Sequence, residues 1–235
     1  MTTIGIIPAR GGSKRVKSKN TSPLLGRPLM AWTCDAAKAA GCLDALYVST
    51  EDDDVREVAR REGVAVIDRP AELASDTATT ESVLLHAADV LGLSDADVFV
   101  CLAPTSPLRT ARHIDEARAL LAKDYNSVVS VMRDRGAFRW ARGQALFDRS
   151  SRPRTQDLED LREQGAVYVM RVGALRDRGV LSPDPAALYL MDAISSADID
   201  TYDDLEVAAF WLTKQLMRRR SEYADAAGWK RGEGA

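Results

Sequence analysis

The chain has 235 residues, 46% of them hydrophobic and 29% charged, with a formal charge of −3. This composition suits a globular protein with one sizeable core, and the near-balanced charge argues against nucleic acid or a membrane surface as partner. Two histidines and three scattered cysteines, Cys34, Cys42 and Cys101, form no CxxC pair and no zinc constellation. Each thiol reads as a small buried hydrophobe in a reducing compartment. No apolar run approaches the roughly 18–20 residues of a membrane helix, and the first one, 4–9, lacks the basic leader of a signal peptide. A cytoplasmic protein is expected.

Strands and helices alternate along the chain. "TIGIIPA" (3–9) is β-branched and almost wholly apolar, like a strand covered on both faces. A cationic loop follows, with five Lys or Arg between Arg10 and Lys19 and no acid among them. Residues 28–41 have helical composition, with Gly41 as the expected C-terminal cap. "ALYVST" (45–50) is the second strand. Residues 52–63 form a helix with acids in its first turn, bases in its last and a terminal glycine. "VAVID" (64–68) is the third strand, followed by a polar loop and a helix over 81–92.

"DVFVCLA" (97–103) is the fourth strand, "PTSPLR" its loop, and 111–123 the next helix. "NSVVSVMR" (126–133) is a strand. The pattern then breaks over 134–164, a polar, arginine-rich stretch without its own apolar periodicity. Such a segment is usually functional or packs on a partner. Strand signals return at 165–171 and 187–192. A short strand through "DID" leads into a C-terminal helix, and 221–235 reads as a frayed tail. The βαβα rhythm predicts an α/β protein: a mostly parallel sheet with helices on both faces. A single domain over 1–220 would carry 134–164 as an inserted arm.

In open parallel sheets ligands sit outside the carboxyl ends of strands, where Arg10–Asn20 lies. Gly11 and Gly12 allow close approach of backbone amides to a phosphate. Ser13 offers a hydroxyl, and Arg10, Lys14 and Lys19 offer charge-assisted bonds. The loop matches neither GxxxxGK[ST] nor GxGxxG, so phosphate binding stands beside a solvated basic loop. Asp198 and Asp200 fall on one side of an extended segment. Two adjacent carboxylates repel unless a cation or proton lies between them, and Mg²⁺ is the natural candidate near phosphates. The alternative is a helix cap. "LAPTSPLR" (102–109) is a proline-fixed turn at the same edge, where Arg109 either braces the loop or meets an anion. Arg69 and Asp76 in "RPAELASDTA" contact a ligand or form a structural ion pair. Arg154 and Arg162 face substrate or solvate the arm. His86 and His113 read as structural, and no nucleophilic triad is present.

Taken in order, "IIPARGGSKRVKSKN", "VSTEDDDVREVARREG", "DRPAELASDTATT", "LAPTSPLRT", "NSVVSV", "RTQDL…GAVYV" and "DIDTYDDLE" resemble the acylneuraminate cytidylyltransferases, the CMP-sialic acid synthetases, over about residues 3–215. The resemblance implies a Rossmann-like nucleotidyltransferase fold with a dimerisation arm, here 134–164, and a homodimer. It implies that CTP and a 2-keto sugar acid give the CMP-sugar and pyrophosphate, with Mg²⁺. Arg10, Gly11, Gly12, Ser13, Lys14, Lys19 and Asn20 would hold the triphosphate. Arg69, Asp76 and Thr77 would read cytosine and ribose. Asp198 and Asp200 would hold the metal and, with Lys19, act in catalysis. The acceptor side would comprise Ala103, Thr105, Ser106 and Arg109, together with Arg154, Gln156, Gln164, Gly165 and Tyr168. Ala103 stands where the family usually has glutamine and Gln164 where it has asparagine. Ala186 and Ala187 replace a basic residue often found there. The nucleotide half therefore matches better than the acceptor half, and another nonulosonate or a non-sugar acid such as a phosphonate remains an alternative acceptor. A catalytically idle nucleotide-binding dimer is the rival from another class.

Overall fold

The computed structural model describes residues 1–134, 136, 138–150, 154, 157 and 160–226. A seven-stranded sheet organises them. Its strands are β1 (Thr3–Pro8), β4 (Ala45–Thr50), β5 (Ala65–Asp68), β6 (Val98–Leu102), β7 (Ser127–Arg133), β10 (Leu161–Arg171) and β11 (Ala186–Leu190), in the spatial order β11-β7-β10-β6-β1-β4-β5. Two-residue pairs, β2 (Pro23–Leu24) with β3 (Arg27–Pro28) and β8 (Trp140–Ala141) with β9 (Gln144–Ala145), lie outside it. The helices are α1 (Leu29–Lys38), α2 (Asp53–Arg61), α3 (Thr80–Val90), α4 (Ala111–Ala119), α5 (Val172–Arg178) and α6 (Tyr202–Ala226).

β1 pairs in parallel with β4 and β6, β4 with β5, and β7 with β11. β10 runs antiparallel between β6 and β7. The predicted strands at the centre are apolar on both sides because helices cover both faces. Ile7, Val48, Val100 and Val128 belong to one core cluster with residues of α1, α2 and α4. Ile4, Ile6, Phe99 and Met170 pack on the other side with residues of α3 and α5.

Several expectations change. Gly41 does not end α1, which stops at Ala39 in ordinary helical geometry. Gly63 does follow α2 with φ +68°, as a left-handed cap requires. The segment 197–200 is extended but unpaired, so "DID" is no strand. α5, with its glycine and arginines, carries no strong periodic signal and was not expected. The irregular stretch contains the β8–β9 hairpin, and its last four residues, 161–164, belong to β10. α6 runs on to Ala226, into the stretch expected to fray. No helix among the described residues is long and apolar enough to cross a membrane.

Asp97, just before β6, ties the sheet's edge together. Its carboxylate accepts the Thr2 amide at 2.6 Å and both the amide and hydroxyl of Ser94 at 2.8 Å. These bonds favour the ionised form and hold its pKa down to about 2, from 3.8. A depressed carboxyl contributes stability that is present above its unfolded pKa and lost as pH falls through the folded one. Asp97→Asn should therefore lower the melting temperature at neutral pH. Melting curves should show the gap to wild type closing between the unfolded value of 3.8 and about 2; a gap constant across that window would refute the role.

Candidate active site

The carboxyl ends of β1, β4 and β6 deliver three loops to one edge of the sheet. The opening loop is fixed from within by Val16, which is fully buried among its cationic neighbours. Asn20, also buried, donates from Nδ2 to the Arg10 carbonyl at 2.8 Å and so closes the loop on itself. The Gly11 amide donates to Glu51 Oε1 at 2.8 Å. A Cβ at Gly11 would lie 2.8 Å from the Cβ of Asp52, the residue that caps α2, so the close approach requires glycine. Gly12 has open space around it.

A cleft of about 460 Å³ opens over this loop. Arg10, Ser13, Lys14, Arg15, Lys19 and Asn20 form one wall, with Asp76, Pro104 and Thr105 facing them. Four basic side chains around one cavity would repel without counter-charges; two acids pair with them and a third, Glu51, holds the loop's backbone. Asp76 meets Lys14 at 2.5 Å and Arg10 at 3.1 Å. Those two cations hold its carboxyl below the usual range. Asp200 meets Arg15 at 2.9 Å and Lys19 at 3.1 Å. Lys19 also donates to the Ile199 carbonyl at 2.6 Å, which fixes its ammonium in the wall.

Two further cavities lie beyond this cleft, the first sharing a wall with it and the second sharing one with the first. One, of about 290 Å³, shares Pro8, Pro104 and Thr105 with the cleft and continues to Ala103, Gly165 and Tyr168. The other, of about 510 Å³, is lined by Arg162, Glu163, Asp200 and Asp204. Asp198 and Gln164 border both. Gly165 takes φ +74° at a bulge in β10, where the pairing with β7 shifts register between Glu163 and Tyr168. The bulge lets Tyr168 turn its hydroxyl to donate to Glu163. Burial and that carboxylate raise the phenol's pKa.

Asp198 and Asp200 thus reach one cavity without a strand to align them. The Ile199 amide between them donates to the Thr105 carbonyl at 2.9 Å, which holds the segment against the "PTSPLR" loop. Asp198 keeps an exposed face. Desolvation in the cleft wall, reinforced by the charge of Asp200, nevertheless raises its carboxyl pKa, against the pull of Thr105 and Lys19. Two neighbouring carboxylates are hard oxygen donors of the kind that could hold a divalent cation such as Mg²⁺. Among the described residues no group of three or more His, Cys, Asp or Glu gathers as a metal cage.

Other expected site residues lie elsewhere. Arg69 is buried and donates to the Ser49 carbonyl and hydroxyl, with Glu51 at 4.0 Å. It braces the end of β4 and does not pair with Asp76. Arg109 is likewise buried and donates from Nη1 to the Ala103 carbonyl at 3.1 Å and the Ala166 carbonyl at 2.6 Å. It braces the loop from behind and lines neither of those two cavities. Ser106 is buried with its hydroxyl unpartnered. Thr77 is exposed, with its hydroxyl 3.2 Å from that of Ser75, and Arg154 is exposed. Gln156 lies outside the described residues. The structure adds Arg15, Glu51 and Leu181, the last in the wall of the 290 Å³ cavity. An acid directly after a strand at the ligand edge was a signal for Glu51; Leu181 had none.

The sequence profile of the family described as Cytidylyltransferase matches residues 4–171. An N-acylneuraminate cytidylyltransferase of Escherichia coli O18:K1:H7 is 31% identical over 228 residues, covering 93% of this chain and 53% of its own. The chain thus spans about half the length of that relative. The CMP-N,N'-diacetyllegionaminic acid synthase of Legionella pneumophila is 33% identical over 241 residues, covering 94% of this chain and 99% of its own. Among solved structures, a CMP:2-keto-3-deoxy-manno-octonic acid synthetase complexed with CTP superposes with a TM-score of 0.71 at 16% identity, over 92% of this chain and all of the other, which speaks for a common fold. With the family profile spanning the opening loop through β10, and a relative matched along nearly its full length, the chain belongs to the cytidylyltransferase family.

Proposed function

We propose that the protein is a cytidylyltransferase that activates a 2-keto sugar acid, sialic acid or a related nonulosonate, with CTP to give the CMP-sugar and pyrophosphate. The observation that supports the reading is the wall of Pro8, Pro104 and Thr105 that the cationic cleft shares with a largely uncharged cavity bordered by Asp198. A triphosphate carries about four negative charges, and the chain brings four cations and a loop of backbone amides to one place. The acceptor enters the Ala103–Tyr168 cavity, with its anomeric hydroxyl toward Asp198. Attack forms a bond from that oxygen to the α-phosphorus and breaks the bridge to the β-phosphate. Negative charge moves onto pyrophosphate as it leaves. Lys19, already held in the wall by the Ile199 carbonyl, stabilises that charge together with Lys14 and Arg15. Asp198 and Asp200 would hold Mg²⁺, which, when bound, supplies Lewis-acid polarisation of the phosphoryl oxygens. Thr105, between the two cavities, orients both substrates.

The 134–164 arm is read as a homodimer contact. Trp140 and Leu146 are 54% and 65% exposed there, too much apolar surface for a hairpin of this size to bury alone.

The direct test is pyrophosphate release with each nucleoside triphosphate, Mg²⁺ and a panel of 2-keto acids. Turnover should require CTP and a nonulosonate, and a protein that binds CTP but releases no pyrophosphate with any acid would be an idle nucleotide binder. Asp200→Asn should lower kcat by roughly 100-fold, the scale of one lost charge-stabilising contact, while CTP affinity by calorimetry stays within a few-fold because the other cations remain. Near-normal turnover would remove Asp200 from the chemistry.

Ala103 tests the acceptor. Its partly buried methyl lines the acceptor cavity where the resembled family carries an amide. For a native acid that lacks a group to meet the amide, Ala103→Gln should raise the acceptor KM for that acid and improve N-acetylneuraminate, with CTP binding unchanged. A buried amide without a partner costs about 1–3 kcal/mol, and one meeting a sugar hydroxyl recovers it. A uniform loss on both acids with a lowered melting temperature would make Ala103 a packing residue.

A further inference from the structure

On the far side of the "PTSPLR" loop lies a cavity of about 290 Å³, bounded by α1, the start of α4 and the C-terminal half of α6. Its walls are largely apolar, with Trp32, Ala36 and Ala39 from α1 and its C-terminal end and Leu212 and Leu216 from α6. Its volume is close to the lower end of small-molecule sites, roughly 300 Å³. Arg109 forms part of the wall and is 3% exposed. Its Nη1 is spent on two backbone carbonyls, but Nε and Nη2 have no hydrogen-bond partner, and among the described residues no ion pair reaches it. Burial without a compensating acid lowers its pKa to about 10.

A guanidinium taken out of water without a counter-charge is costly, and native proteins pair such groups. The other charges at this cavity are already matched. Arg27 bonds Asp35 at 2.6 Å and Glu62 at 3.1 Å and lies over the Trp32 ring at 5.1 Å. Thr110 and Ala111, the N-terminus of the nine-residue α4, line the same space. A helix start and a buried cation favour the same sign of ligand.

We propose that this cavity is a second binding site, for a small organic carboxylate whose head group meets Arg109 and whose apolar body packs on Trp32 and Leu212. Bare phosphate would leave the apolar wall unfilled, and an uncharged ring would leave Arg109 uncompensated. The site would also be coupled to the acceptor side. The Ala103 and Ala166 carbonyls that hold Arg109 belong to a residue lining the acceptor cavity and to the neighbour of Gly165, which also lines it. Any shift of the guanidinium toward a bound carboxylate is felt at both, and such coupling is reciprocal. The binding itself does not depend on the proposed reaction.

The full chain, labelled with ¹⁵N, provides the test. The Trp32 indole N–H, which donates to the Leu24 carbonyl at 3.1 Å, is assigned by its loss in Trp32→Phe. Benzoate should shift this resonance saturably, whereas benzamide and inorganic phosphate at equal concentration should not. Ala39→Phe fills the mouth from α1 without touching Arg109. It should abolish the benzoate shift while the melting temperature remains near that of wild type. At saturating benzoate the amides of Gly165 and Tyr168 should move along the same binding curve. The proposal is overturned if benzoate leaves Trp32 unmoved, if phosphate or benzamide shifts it equally, or if the shift survives in a folded Ala39→Phe protein. Pyrophosphate release by the wild type is a separate measurement, so the reaction and this site stand or fall independently.

Discussion

Lys19 joins the two halves of the site. Its ammonium is bonded to the Ile199 carbonyl and the Asp200 carboxylate, 180 residues further along the chain. Ile199 in turn bonds the Thr105 carbonyl, so the opening loop, the loop after β6 and the approach to α6 meet at one point. Remove this junction and the cationic wall loses its register with the two aspartates. The Lys19 side chain is only 12% exposed, so its pairing is less screened than the surface pairs of its neighbours. Arg15, at 67% exposed, makes the same contact to Asp200 at weaker effect.

Beneath that junction, two buried arginines set the shape of the loops. Arg69 holds the end of β4 through Ser49 and lies near Glu51, which in turn holds the Gly11 amide. Arg109 fastens the "PTSPLR" loop to β10 through the Ala103 and Ala166 carbonyls. Each donates to backbone carbonyl oxygen from one end of its planar guanidinium, a fork that can reach more than one acceptor at once. The cleft's cations themselves sit on the opening loop, and the two buried guanidiniums hold the structure behind it.

The sequence showed most of the parallel half of the sheet and the composition of the opening loop. Residues 3–8, 45–50 and 98–102 are continuous apolar or β-branched runs, and burial on both faces leaves such runs little other fate. The antiparallel β10 was half hidden. It begins with "LREQG", four polar or glycine positions after one leucine, and pairs with β7 through a bulge that resets its alternation. Arginine was the hardest residue to read in the site. Arg10, Arg69 and Arg109 look alike in sequence at strand ends, yet only Arg10 lines the cationic cleft. What separates them is burial: Arg69 and Arg109 are enclosed, whereas Arg10 keeps a solvent-facing side chain although it too donates to a backbone carbonyl, that of Ser75. Gly11 was read as making room for phosphate, while the structure gives it a second reason in Asp52 at the head of α2.

The charge arrangement explains why the chain can be acidic overall and still carry so basic a loop. Each cation in the cleft that has an acid partner shares it: Asp76 with Arg10 and Lys14, Asp200 with Arg15 and Lys19. Each acid therefore neutralises half of a pair, and the wall keeps a net positive field toward an incoming polyanion. Asp76 is 53% exposed, so its contacts are screened and weak, about 0–1 kcal/mol apiece. A triphosphate outbids it with more charge and better hydrogen-bond geometry, and Asp76 can swing away with its loop. Asp200 is fixed through Lys19 and has a different fate. Once phosphates take over Arg15 and Lys19, its carboxylate is released beside that of Asp198, and the repulsion between the two grows as the nucleotide arrives. In the proposed reaction the cleft would thus become more demanding of a divalent cation at the moment when phosphate oxygens are present, so that electrostatics would favour nucleotide before metal.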